Sequence, residues 1–187
     1  DAEKARNAVE TLRPKLRAGE MSGTTNRDAV KDADFIVIAV PYEGHAQMVA
    51  DLRSQLSGKI LIDTVVPLNK VKPFVPAAGS ALQEAQQILA GEAPVIGALH
   101  NISAVDLGDV DSPLGDVLVC GDDSVAKHKV MEIIERIGAN AYDGGPASNA
   151  YVIEGLTGVK ACESWSGSLS DARRRCHALS AMAVTVA

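Results

Sequence analysis

The sequence predicts a doubly wound α/β fold built on a mostly parallel sheet. Helix-forming and strand-forming stretches alternate in order along most of the chain. The strand stretches "FIVIAV", "KILI" and "PVIGAL" are apolar at successive positions, as strands are when helices cover both faces. Three short segments, "AVPYEGH", "DTVVPL" and "ALHNISA", stand at the carboxyl ends of those strands, where open α/β sheets bind ligands.

Taken in order, the first element is a helix from Asp1 to about Leu16. Its apolar positions are Ala2, Ala5, Ala8, Val9 and Leu12, Glu, Lys and Arg fill the rest, and Gly19 is its stop. "TTNRDAVKDAD" forms a short helix, and Phe35 to Val40 is the first strand, ended by Pro41. "GHAQMVADLRSQLS" is a helix stopped by Gly58, and Lys59 to Ile62 is the next strand. After a Pro-rich connection, "SALQEAQQILAGEAPVIGAL" supplies a third helix and strand. "DVLVCGDD" is a strand and turn. Ser124 to Ile137 is a helix with Val130, Ile133, Ile134 and Ile137 on one face, and "ANAYDGG" is a final short strand. A last helix is entered at Pro146, with Ser148 or Asn149 near its cap. Past Val159 the composition changes: the tail carries the single Trp, an Arg triplet, and Cys162 and Cys176. It reads either as a separate C-terminal element or as a frameshifted stretch.

Composition narrows the function classes. A net charge of -6 supplies no basic field for nucleic acid or an anionic membrane, and 3% aromatic residues make a poor base-stacking platform. No apolar run approaches the roughly 18 residues of a membrane span, and no signal-peptide pattern opens the chain, so the expected location is the cytoplasm. Cys120, Cys162 and Cys176 lack C-x-x-C spacing, which argues against a disulfide framework or a zinc site, and no metal is expected. The chain starts without Met and already in a helical pattern, and is read as a fragment whose true start lies upstream.

The candidate site residues each have a plain alternative. His100 follows a strand and is either a packed core or loop residue or a ligand-facing one. His45 opens a helix, where it could cap or meet a phosphate, but a solvent-facing helix start is the preferred reading. Asp63 and Thr64 end a strand with no paired acid at a fixed spacing. Asp122 and Asp123 are expected to cap the helix after them, and Cys120 to be a buried structural thiol. Lys4 and Arg6 are either helix-surface cations or partners for a 2′-phosphate. No G-x-G-x-x-G occurs, which argues against dinucleotide binding unless that loop precedes Asp1.

"DAEKA", "FIVIAVPYEGH", "KILIDTVVPL", "VIGALHNISA", "DVLVCGDD" and "DGGPASNAYVIEGLTG" occur in that order with compatible spacing. Across residues 1 to 159 the chain resembles the NADPH-dependent reductases of the deazaflavin coenzyme F420. The resemblance implies a Rossmann-like, doubly wound, mostly parallel sheet lacking its first strand and glycine loop, followed by the start of a small C-terminal helical domain. Residues 1–146 would be the NADP-binding part and 147–187 the helical segment, with a tail after residue 159 unlike the family's. The implied cofactors are NADP(H) and coenzyme F420, acting as substrates, and the implied assembly is a homodimer without nucleic acid or membrane partners. Lys4 matches a lysine that recognises the 2′-phosphate. Val40, Pro41, Tyr42 and Ala46 match the loop beside the nucleotide, and Leu68 lines the same crevice. His100 and Ile102 match positions facing the deazaflavin, and Ala104 one beside the nicotinamide carboxamide. A hydride passes directly between the two cofactors, so His100 positions the deazaflavin and no catalytic acid or base is required. The alternatives are a related Rossmann reductase, of the pyrroline-5-carboxylate or ferric and quinone type, and a non-catalytic Rossmann remnant.

Overall fold

The computed structural model describes residues 1–16, 19–69, 72–102, 107, 114–163 and 185–186, with the backbone alone at 159–163 and 185–186. Helix α1 (Ala2–Leu12) is capped by Asp1, whose carboxylate accepts from Glu3 N. It stops short of the expected Leu16 and passes into a 3₁₀ turn at Arg13–Lys15. Pro14 has no N–H to continue the α-helical ladder, so it, and not Gly19, ends the helix. Gly23 seats α1: a Cβ there would lie 2.4 Å from both Ala5 C and Arg6 N. Backbone cannot yield as a side chain end does, so Gly23→Ala is expected to displace α1 and lower the melting temperature by several degrees, on the order of 1–3 kcal/mol. An unchanged melt would show that the contact gives way freely.

The core sheet joins β1 (Phe35–Ile38), β2 (Ile60–Asp63) and β5 (Val95–Gly97) in parallel, in the order β5-β2-β1, with β8 (Thr185–Val186) antiparallel on the far side of β1. β1 ends two residues earlier than expected. Ile38 pairs with Asp63, and both the N–H and the hydroxyl of Thr64 return to Ile38 O, so the ladder closes there and residues 39–41 are free to turn. Helices α2 (Asn26–Lys31), α3 (Tyr42–Leu52) and α4 (Ala81–Leu89) supply one face. There Val30, Val49, Leu52, Leu82 and Leu89 close over Ile36, Leu61 and Val95. Ile60, Ile62 and Ile96 point to the other face, against α5 (Ser124–Arg136) through Val130 and Ile134. Burial on both faces is why these strands are apolar up to the carboxyl end of β2, where Asp63 stands.

Strands β6 (Asp116–Val119) and β7 (Asn140–Asp143) pair in parallel and attach to β5 by an antiparallel bridge, Gly97 to Cys120, with N–H···O distances of 2.8 and 2.9 Å. The Pro-rich connection contains an unforeseen two-stranded hairpin, β3 (Leu68–Asn69) with β4 (Lys72–Pro73). α5 ends before Ile137, which is 46% exposed, so only Val130 and Ile134 of its expected apolar face are fully buried. Asp123 caps α5 through Ala126 N, whereas Asp122 accepts from Ala147 N and Gln86 Nε2, tying the following turn to α4. A 3₁₀ turn at Ala147–Asn149 after Pro146 leads into α6 (Ala150–Glu163), which packs on α4 and on β4. No helix among the described residues is long and apolar enough to cross a membrane.

Candidate functional site

Segments 39–42, 64–68 and 98–102 leave the carboxyl ends of β1, β2 and β5, neighbours in one parallel sheet, which is where open α/β sheets bind ligands. Behind the first two lies a buried polar cluster. Asp63, the last residue of β2, is fully buried; its Oδ1 accepts from Val65 N at 3.0 Å and its Oδ2 lies 2.8 Å from His45 Nε2. His45 Nδ1 lies 2.9 Å from Glu84 Oε2, and the Tyr42 hydroxyl donates to Glu84 Oε1 at 3.0 Å. The Tyr42 ring stacks on His45 and meets Phe74 edge-on.

The expectation of a solvent-facing His45 is therefore corrected: the residue is fully buried. The signal was in the sequence, because His45, Val49 and Leu52 fall at i, i+4 and i+7, one stripe of a helix. Burial by itself would lower the His45 pKa. Hydrogen bonds and charge from Asp63 and then Glu84 override it and hold the ring up at about 9, so both nitrogens donate at neutral pH. Burial, and then Glu84, push the Tyr42 phenol up to about 12. Glu154, buried on α6, accepts from Ala81 N and Leu82 N and completes the cap of α4 begun by Ser80. Burial pushes its carboxyl up to about 8 against the pull of those two N–H groups.

His100 sits at the end of β5 in a different setting. It is 6% exposed, and neither Nδ1 nor Nε2 has a hydrogen-bond partner. Burial lowers its pKa to about 4, with Asp63 opposing, so the ring is neutral at physiological pH and offers one donor and one acceptor. An orphaned buried imidazole costs about 1–3 kcal/mol, which a folded chain carries only with compensation. Its neighbours are arranged for it. Leu99 is in the left-handed region at φ 62, a costly conformation for a branched side chain and one that collects at functional sites. A Cβ at Gly97 would come within 3.2 Å of His100 Cε1, 3.0 Å of Cys120 Sγ and 2.7 Å of Leu82 Cδ1, so the ring occupies space that only glycine leaves. Ile102 N bonds Leu99 O, and the Asn101 amide donates to Asp116 O, fixing the turn to β6. Cys120 is the buried thiol expected, its pKa raised to about 12 by burial.

Of the expected nucleotide-facing residues, Val40, Pro41 and Tyr42 stand together where β1 passes into α3, and Ala46 is exposed one turn further on. Leu68 is half-buried at the start of the hairpin, where its Cδ2 would lie 3.4 Å from a Cβ at Gly158 of α6. His100 and Ile102 adjoin at the end of β5, both buried. Lys4 is exposed on α1, and Ala104 lies outside the described residues. Asp63, Glu84 and Glu154 were missed as partners, because a buried carboxylate leaves no periodic mark in a sequence. A neutral, partnerless imidazole in small-residue walls suits the edge of a polar heteroaromatic ring.

The family model of coenzyme F420-dependent NADP oxidoreductases matches residues 1–67. The chain is 33% identical over 163 residues to the F420-dependent NADP reductase of Methanocaldococcus jannaschii, covering 83% of this chain and 73% of that protein. It is 34% identical over 168 residues to the enzyme of the same description from Methanothermobacter thermautotrophicus, covering 84% and 72%. Among solved structures it matches an Arthrobacter protein described as an F420-dependent NADP reductase, with a TM-score of 0.64 and 25% identity, over 73% of this chain and 65% of the other. A Sinorhizobium meliloti protein gives the same TM-score at 23% identity, over 79% of this chain, and speaks for the fold alone. With this fold, this identity and this coverage, the chain belongs to the coenzyme F420-dependent NADP oxidoreductase family.

Proposed function

We propose that the protein is an oxidoreductase that passes a hydride between NADP(H) and the deazaflavin coenzyme F420. The observation that carries this reading is His100: a buried, neutral, partnerless imidazole at the carboxyl end of a central strand, in a chain of this family. The two cofactors supply the reactive carbons when bound, C5 of the deazaflavin and C4 of the nicotinamide. The chain's own work is to bind, orient and exclude water. His100 would hydrogen-bond the polar edge of the deazaflavin, Ile102 would back the ring, and Ala104 would adjoin the nicotinamide carboxamide. Val40, Pro41, Tyr42, Ala46 and Leu68 would line the nucleotide crevice, and Lys4 would pair with the 2′-phosphate. Rings held in register at contact distance gain most of their rate from that placement, which is why ionisable groups need not face them. Residues 1–146 would serve the dinucleotide, and 147–187 would begin the part that closes over the deazaflavin. We take the enzyme to act as a cytoplasmic homodimer without nucleic acid or membrane partners.

The test is direct: mix the protein with NADPH and oxidised F420 and follow the loss of the deazaflavin's visible absorbance. NADPH consumed only when F420 is present supports the reading. Reduction of pyrroline-5-carboxylate, a quinone or ferric iron in its place would move the assignment. Lys4→Ala is expected to weaken NADPH binding about tenfold and leave NADH binding unchanged, since only the first carries the 2′-phosphate. Equal losses for both would remove Lys4 from the site.

A further inference from the structure

The buried cluster behind the crevice has no task in hydride transfer as described, yet four elements converge on it. His45 comes from α3, Asp63 from β2 and Glu84 from α4, and the charge of His45 is felt at Glu154 of α6. What the cluster holds is the relative position of two segments. Asp63 grips Val65 N and so sets the segment running to Leu68, and His45 grips Asp63 from the helix that begins after Pro41. Tyr42, the first residue of that helix, ends on the same carboxylate, Glu84, as the other side of the His45 ring. A neutral imidazole has a single N–H and could serve only one of the two carboxylates, at 2.8 and 2.9 Å.

We propose that His45 is a positioning residue for NADP(H): by donating to Asp63 and Glu84 at once, its ring sets the spacing between the start of α3 with the 39–41 turn before it and the 64–68 segment, on which nucleotide affinity depends. This rests on the reading that those segments face the dinucleotide. The groups facing His45 are Tyr42 on its own helix, Asp63, Glu84 and Glu154. The first stays protonated over most of the range that matters, Asp63 and Glu84 favour the charged ring, and Glu154, its carboxyl pushed up to about 8, ionises within the range and adds its charge on the same side. The ring therefore keeps both bonds until pH rises through about 9, and then loses one.

The experiment is calorimetric titration of the full-length protein with NADPH, and separately with F420, from pH 7 to pH 10, for the native protein and His45→Gln. Losing one charge-assisted bond is expected to weaken native NADPH binding about tenfold at the alkaline end, with F420 affinity little changed. His45→Gln is expected to bind NADPH as weakly at pH 7 as the native chain does at pH 10, with a flat profile. A folded His45→Gln protein with native NADPH affinity and native pH slope overturns the proposal while leaving the cofactor reading intact. No NADPH binding by the native full-length protein overturns both. If the variant does not fold, the native profile and the imidazole NMR titration of His45 decide the matter. A ring that titrates near the ordinary histidine value, or NADPH affinity that is level to pH 10, overturns the proposal.

Discussion

His100→Leu is expected to raise the stability of the chain while removing its affinity for coenzyme F420. Both ring nitrogens of His100 are buried without partners, so the folded protein carries their desolvation cost, offset by interactions elsewhere in the fold. Replacing such a group by an apolar one removes that cost, about 1–3 kcal/mol, or roughly 2–4 °C in melting temperature per kcal/mol for a chain of this size. Leucine is close to histidine in volume, so the walls need move little. Binding goes the other way on the proposed placement of the deazaflavin, because the donor and the acceptor of the His100 ring are lost from its edge. The sign with pH follows from the lowered pKa. The folded value is about 4 against an ordinary 6.5, so the contribution of His100 to stability is full above 6.5 and is lost as pH falls through about 4. The leucine variant lacks that loss, and its advantage should widen in acid. Thermal melts at pH 4.5 and 7, with F420 titration by fluorescence, check both halves. A variant that melts lower and still binds F420 would mark His100 as ordinary packing.

Asp63→Ala is expected to be the most damaging single change, costing about 3–5 kcal/mol. It leaves Val65 N without its acceptor and an imidazolium fully buried against Glu84 alone. Two raised pKa values shape the alkaline side of the native stability curve. Glu154, moved from 4.5 to about 8, withdraws stability as pH rises through that window, and His45, moved from 6.5 to about 9, withdraws it as pH rises through its own. Asp63→Ala removes the main support of the second shift, so the loss between pH 8 and 9 should flatten in the variant. Urea melts at pH 6, 8 and 10 measure this directly. Native stability with an unchanged alkaline slope would mean that Asp63 holds nothing. Asp63→Asn, which keeps an acceptor for Val65 N, should lose less than the alanine variant.

Much of the architecture was legible in one dimension. Runs such as Ile60 to Ile62, apolar at every position, follow from burial on both faces, and Val130 and Ile134 announced the inner face of α5. The family motifs fell at residues 40–42 and 100–102, just past the ends of β1 and β5. Periodicity reports which side of an element meets the core, and so the sequence by itself determined the order of elements, the class of fold and the segments at the strand ends. It does not report partners. His45 meets Glu84 39 residues away and Asp63 18 residues away, and Ala81 N finds Glu154 73 residues on. The left-handed turn at Leu99 and the orphaned ring of His100 were likewise decided only when the chain closed around them. The physical reason is the same in each case. Apolar burial is additive along a helix or strand and leaves a pattern, whereas a buried hydrogen bond or charge pair depends on the distance between two groups, which only tertiary packing sets.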